Sequence, residues 1–239
     1  MLVERGFFET RSKALAAVMA GQVSVDGLPI VKAGSLVSES AQVELAAPCP
    51  YVSRGGFKLE AALKAFQVDV SEKIVLDVGA STGGFTDCLL QRGAKKVYAI
   101  DVGHGQIAQK IRNDPRVIIR EKINARFLNP EDFSPRPSLA VIDVSFISLT
   151  QVLKPVAACL ESPAQMIALI KPQFEVGPKL APKGIVQTEE ARQLAVSKIR
   201  EFLPFAGLLE EGLIESPISG MKGNREFLIF LKKSENKSW

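Results

Sequence analysis

Histidine is nearly absent: the 239-residue chain has one, His104. A Ser-His-Asp triad or a His-rich metal site would have to pass through that single residue, which argues against both. Cysteine is scarce as well. Cys49, Cys88 and Cys159 lie far apart and form no C-x-x-C pair, so neither a zinc site nor a disulfide framework is indicated, and no metal is expected. No apolar run reaches the roughly 18 residues a membrane span needs. The charged start MLVERGFFETRSK lacks the apolar core of a signal peptide. These absences lead to the expectation of a soluble cytoplasmic protein with no membrane partner.

What is present is globular. Hydrophobic residues make up 46% and charged residues 23%, and the formal net charge is +4, which permits an anionic partner without demanding one. The first 47 residues read as a small unit. FETRSKALAAVMAG fits a helix with Thr10 as N-cap, an apolar stripe through Leu15 and Val18–Met19, and a stop at Gly21. VSVDGLPI signals a hairpin around Asp26–Gly27, and SLVSESAQVEL adds a candidate strand. Residues 48–53 read as a linker, and 54–239 as the main domain.

In that domain, SRGGFKLEAALKAF fits a helix with Leu59, Leu63 and Phe66 on one face. Apolar strand-like runs then alternate with helical stretches: KIVLDVG, KKVYAIDVG, VIIREKIN, LAVIDVSF and MIALIKPQF, with GFTDCLLQRG and SLTQVLKPVAACL between. That alternation predicts a parallel α/β sheet with helices on both faces. EEGLIESPI and REFLIFLKK, joined by SGMKGN, suit an antiparallel pair, and the tail SENKSW reads as disordered.

Ligands of open α/β sheets bind at the carboxyl ends of the strands. Five runs end in or lead to a polar residue: Asp77, Asp101, Asn124, Asp143 and Lys171. Singly, each could be a capping or turn residue. Five together, beside the turn GASTGG, make a site the better reading. The turn matches neither G-x-G-x-x-G nor G-x-x-x-x-G-K-[ST], which disfavours a nicotinamide oxidoreductase and excludes a P-loop. Gly79 and Gly83 let backbone approach a ligand closely, and Asp101 suits a ribose diol. A nucleoside without an obligatory pyrophosphate fits, and S-adenosylmethionine is such a ligand.

YVSRGGFKL, LDVGASTGGFTD, VIDVSFISL, IKPQFEVG and GNREFLIFL, in that order, resemble the blocks of the TlyA (hemolysin-A-like) family of ribosomal RNA 2′-O-methyltransferases. The resemblance covers nearly the whole chain. It implies a Rossmann-like, FtsJ-type methyltransferase domain behind a small α+β S4-like RNA-binding domain. S4 units open on an Arg-Leu-Asp strand and this chain starts beyond it, so the expectation is a shortened unit or a misassigned start. Residues 1–47 hold four Lys/Arg and five Asp/Glu, a net of 4 − 5 = −1. RNA contact there would need a local patch of Arg5, Arg11 and Lys13; a solvated helix face is the alternative.

The resemblance also implies a Lys-Asp-Lys-Glu tetrad: Lys58, Asp143, Lys171 and Glu226. A ribose 2′-hydroxyl is a poor nucleophile that must be oriented and relieved of its proton. Lys171 is the base candidate, with orientation of the hydroxyl as its alternative role. Glu226 opens the last strand-like run, which places it at the same sheet edge if that strand is antiparallel. On the cofactor side the expected residues are Asp77, Gly79, Ser81, Gly83, Phe85, Asp101, Asn124 and Asp143. Asn124 stands where FtsJ relatives commonly have aspartate. Arg54, Lys179 and Lys183 are further candidates for RNA contact. The expected partner is ribosomal RNA or a ribosomal subunit. Competing readings are a non-catalytic RNA-binding factor, and a membrane-active hemolysin as the family's older name suggests.

Overall fold

The computed structural model describes residues 1–19, 22–29, 34, 37–38, 40–45 and 49–233. The expected stop at Gly21, part of the linker and the SENKSW tail lie outside them. The chain divides into two compact units, Met1–Pro50 and Tyr51–Trp239.

In the first unit, α1 (Arg11–Met19) is capped by Thr10, whose hydroxyl accepts from the Lys13 amide at 3.2 Å. Its buried face is Ala14, Ala17 and Val18. Leu15 is 44% exposed, so the stripe expected through it is corrected to the alanines. Strands β1 (Val23–Val25) and β2 (Leu28–Pro29) form the expected hairpin. Asp26 and Gly27 both have positive φ, 51° and 77°, as a primed two-residue turn requires. β3 (Val43–Leu45) pairs with the other edge of β1. Ala17, Val18 and Val23 make the core, with Leu2, Phe8 and Val43 packed on it.

The second unit runs α2 (Gly55–Ala65), β4 (Ile74–Val78), α3 (Gly84–Gln91), β5 (Lys96–Asp101), α4 (Gln109–Arg112), β6 (Val117–Glu121), β7 (Leu139–Ile142), α5 (Leu153–Cys159), β8 (Gln165–Ile170), α6 (Pro172–Glu175), α7 (Glu189–Phe202), β9 (Leu208–Glu215) and β10 (Phe227–Lys233). The strands form one sheet in the order β6-β5-β4-β7-β8-β10-β9. The five expected runs are the parallel strands, and β9 and β10 are antiparallel. From β4 the chain builds outward through β5 and β6, then returns to the other side with β7. The switch point therefore lies between β4 and β7, where a doubly wound sheet opens a crevice at its carboxyl edge.

Both faces of the sheet are covered. Leu76, Val78, Ile142 and Ile229 point to one face, where Leu153 and Val156 of α5 and Val196 and Ile199 of α7 complete the core. Residues of opposite parity meet the other helices. Phe230 stacks on Phe66 at the end of α2, 5.3 Å between centroids, and Asp77 accepts from Thr86 of α3. Burial on both sides explains why these strands read as continuous apolar runs. Each fully buried Leu or Ile is worth about 1.5–3 kcal/mol.

Candidate active site

The glycine-rich turn is held by backbone. The amides of Gly79 and Ala80 donate to the Ile100 carbonyl at 2.9 and 3.1 Å. Gly79 has φ 86°, and a Cβ there would stand 2.4 Å from the Asp143 carbonyl oxygen, so only glycine allows this approach. Asp101 joins the turn to the next loop. Its Oδ2 accepts from the Ser81 amide at 2.8 Å and its Oδ1 from the Gly103 amide at 2.7 Å. A cavity of about 560 Å³ opens here at the switch point. Gly79, Ser81, Asp101, Asn124 and Asp143, all expected on the cofactor side, line it. Asn124 Oδ1 also caps the short turn after it, accepting from the Arg126 amide at 3.1 Å.

Asp77, Gly83 and Phe85, also expected on the cofactor side, lie outside the residues that line this cavity. Asp77 lies one residue inside β4, so strand alternation turns its side chain toward α3 rather than to the sheet edge. It is fully buried, and Oδ2 accepts from Thr86 Oγ1 at 2.5 Å. Burial pushes its carboxyl up to about 7; the Thr86 hydrogen bond opposes this, and the Asp143 and Asp101 carboxylates add to it. Gly83 is the left-handed N-cap of α3 at φ 95° and packs on Ile111, which a Cβ would approach to 3.0 Å. Phe85 is 3% exposed and belongs to the core.

The four residues of the implied tetrad come together as two ion pairs. Asp143 follows β7 and Lys171 follows β8; Lys171 Nζ stands 2.6 Å from Asp143 Oδ1. The Asp143 oxygen lacks a well-directed hydrogen bond, so this contact is chiefly electrostatic. Lys171 directs its hydrogen bond to Ser145 Oγ at 2.8 Å. Lys58 of α2 donates to Glu226 Oε2 at 2.5 Å, with the two side chains only 11% and 1% exposed. Phe227 of β10 pairs with Ile170 of β8, so Glu226 and Lys171 are the next residues beyond that register. The antiparallel last strand thus brings Glu226 to the edge that carries Lys171.

Sequence reasoning missed two supports of this arrangement. Ser145 carried no motif of its own beyond its place after Asp143. Gly220 gives Glu226 its room: a Cβ there would stand 1.8 Å from Glu226 Oε1. The glycine in SGMKGN was legible as a turn residue but not as a wall of the site.

The basic candidates differ in their partners and exposure. Arg5 Nη1 donates to the Ala41 carbonyl at 2.8 Å, and Lys13 pairs with Glu9. Arg11 and Lys13 are two apart on α1 and so do not share a face. Arg54 is exposed at the start of α2. Lys179 and Lys183 are exposed, and the Lys183 carbonyl accepts from Lys222 Nζ at 2.7 Å. Among the described residues no acid, histidine and cysteine cluster could hold a metal ion, and no helix is long and apolar enough to cross a membrane.

Residues 51–233 match the model of the FtsJ-like methyltransferase family. The chain belongs to that family. This FtsJ-like chain is 45% identical to the candidate rRNA methyltransferase YqxC of Bacillus subtilis over 234 residues, covering 97% of the chain and 83% of the relative. It is 41% identical to the 16S/23S rRNA (cytidine-2′-O)-methyltransferase TlyA of Mycobacterium tuberculosis over 240 residues, covering 99% and 90%. Among solved structures, a candidate hemolysin from Streptococcus thermophilus superposes with a TM-score of 0.80 at 43% identity, covering 98% of this chain and 87% of that one.

Proposed function

We propose that this FtsJ-like enzyme uses S-adenosylmethionine to methylate the ribose 2′-hydroxyl of a cytidine in ribosomal RNA. The similarity to a relative named for cytidine-2′-O methylation of 16S and 23S rRNA supports the substrate. The observation that carries the reaction is the meeting of two Lys–carboxylate pairs at one sheet edge, with Asp143 shared between that edge and the cavity.

The cavity residues fit the cofactor. Its volume of about 560 Å³ is within the range of small-molecule sites. A carboxylate has about four lone-pair sites, so Asp101 can accept a ribose diol while keeping its two amide donors. Gly79 and Ser81 would hold the cofactor through backbone, Asn124 would meet the base, and Asp143 would lie toward the amine end. When bound, S-adenosylmethionine supplies a methyl group on a sulfonium, open to in-line attack.

Lys171 would meet the 2′-hydroxyl. An ion-paired ammonium donates hydrogen bonds and has no lone pair, so its contact with Asp143 supports orientation of the hydroxyl as its first task. Proton removal would require it first to pass a proton on. Glu226, opposite Lys171 at the sheet edge, would hold Lys58 by their ion pair. The helix, hairpin and third strand of the first unit support an S4-like RNA module in which Arg5, Arg11 and Lys13 contact phosphate. Arg54, Lys179 and Lys183 are proposed to contact RNA from the second unit. Such a substrate assigns the enzyme to the cytoplasm.

The test is incubation of unmodified ribosomal subunits with the protein and methyl-labelled S-adenosylmethionine, followed by nucleoside digestion. Label on 2′-O-methylcytidine is expected. Label on a base would overturn the reaction assignment.

A further inference from the structure

Glu175 is a carboxylate almost shut off from solvent and without a part in the chemistry above. Its side chain is 2% exposed, at the end of α6, four residues after Lys171. Oε1 accepts from the Leu149 amide at 2.8 Å. Oε2 accepts from Ser148 Oγ at 2.5 Å and from Lys198 Nζ at 3.2 Å. Lys198 also donates to the Glu175 carbonyl at 2.8 Å and to Ser148 Oγ at 3.2 Å. A buried carboxylate is costly unless its lone pairs are occupied. Here the donors come from α7 and from the loop that follows β7.

That loop carries the hydroxyl side of the site. It leaves the sheet at Asp143, whose amide donates to the Val78 carbonyl at 2.9 Å. Ser145 then accepts from Lys171. Phe146 follows at φ 64°, with its ring 5.1 Å from that of Phe174. A bulky residue in the left-handed region costs on the order of 1–3 kcal/mol and persists only where its surroundings impose it. The next anchors are Ser148 and Leu149 on Glu175. The loop therefore meets the Lys171–Glu175 turn at three successive levels, and Glu175 closes the last.

We propose that Glu175 is a positioning residue for methyl transfer. By holding Ser148 and Leu149 it keeps residues 143–149 in register, so that Asp143 and Ser145 remain on Lys171. Without that hold, Phe146 relaxes out of the left-handed region and the partners of Lys171 shift. The kinetic half of this inference rests on the proposed reaction; the structural half does not.

The experiment takes Glu175→Gln in the full chain, with Ser148→Ala as a milder second variant, and reads each in two ways. Hydrogen exchange, measured by mass spectrometry without substrate, should quicken in residues 143–152 while the Gly79–Gly84 turn keeps its protection. With ribosomal subunits, kcat should fall by roughly 5- to 150-fold, the strain of one left-handed residue expressed as a ratio. KM for S-adenosylmethionine should stay within about twofold, as expected for loss of an interaction that acts in the transition state. Glu175→Asp, which keeps the charge, should recover part of the rate. Unchanged exchange in residues 143–152 overturns the proposal, as does a full rate in Glu175→Gln or a rate loss matched by equal loss of cofactor affinity. If Glu175→Gln does not fold, Ser148→Ala decides by the same readings. If the parent protein transfers no methyl group to ribose, the reaction reading falls, and exchange alone decides whether Glu175 holds the loop.

Discussion

The two sides of the site are built differently. On the cavity side, Asp101 is held by two backbone amides, and Gly79 is pressed against a backbone carbonyl. On the other side, Lys58 pairs with Glu226, and Lys171 pairs with Asp143, which also lines the cavity, so these residues are held by side-chain charge. Lys58 and Glu226 are 168 residues apart in sequence. Backbone makes a cradle whose shape does not depend on what is bound. Paired side chains leave charged atoms that can be redirected when a substrate arrives. The difference suits a cofactor that needs recognition and a hydroxyl that needs alignment.

The largest expected effect lies on the side-chain half. Lys171→Ala should lower methyl transfer by roughly 10²–10⁴-fold if proton handling limits the rate. Lys171→Arg keeps the charge and a donor but cannot deprotonate in the working range. A largely active arginine variant would remove the base role and leave orientation.

Next comes the buried pair. Glu226→Gln leaves the Lys58 ammonium without its carboxylate in a nearly dry setting, which should cost about 3–5 kcal/mol of stability. Chemical denaturation would measure it, and the double variant Lys58→Met, Glu226→Gln should recover much of the loss. A single variant as stable as the parent would mean that the pair is not sealed from water.

How far the sequence could reveal this division follows from the strands. Parallel strands buried on both faces leave their polar residues at the ends, so Asp101, Asp143 and Lys171 were legible where apolar runs stop. Glu226 and its partner Lys58 were legible through family resemblance, and Glu226 also through the antiparallel sense of β10. Asp77 reads as a strand end because DVG looks like one, whereas Val78 is the last strand residue and parity turns Asp77 inward. Leu15 was misread because α1 buries alanines instead. The hold of Glu175 on Ser148 has no sequence signature, since only the fold brings α6 to the loop after β7.

Asp77 offers a pH-dependent contrast with the exposed cavity. Its folded pKa, raised to about 7, exceeds that of an unfolded aspartate near about 3.9. Its contribution to stability is thus full below about pH 4 and is lost as pH rises through about 7, on the order of 1.4 kcal/mol per pH unit between them. Asp77→Asn should flatten this part of the stability–pH curve, with the gap to the parent greatest above pH 7 and closing near pH 4. Parallel curves for the two proteins would show that Asp77 ionises as an ordinary carboxylate.

Calorimetric titration of S-adenosylmethionine into Lys171→Ala and Asp101→Ala compares the two halves directly. If backbone cradle and charged pairs divide the work, Lys171→Ala binds within about threefold of the parent, because Lys171 itself does not line the cavity. Asp101→Ala, which loses charge-assisted bonds worth about 1.5–3 kcal/mol each, should bind at least about tenfold more weakly. Equal losses in the two variants, or a loss confined to Lys171→Ala, would contradict that division.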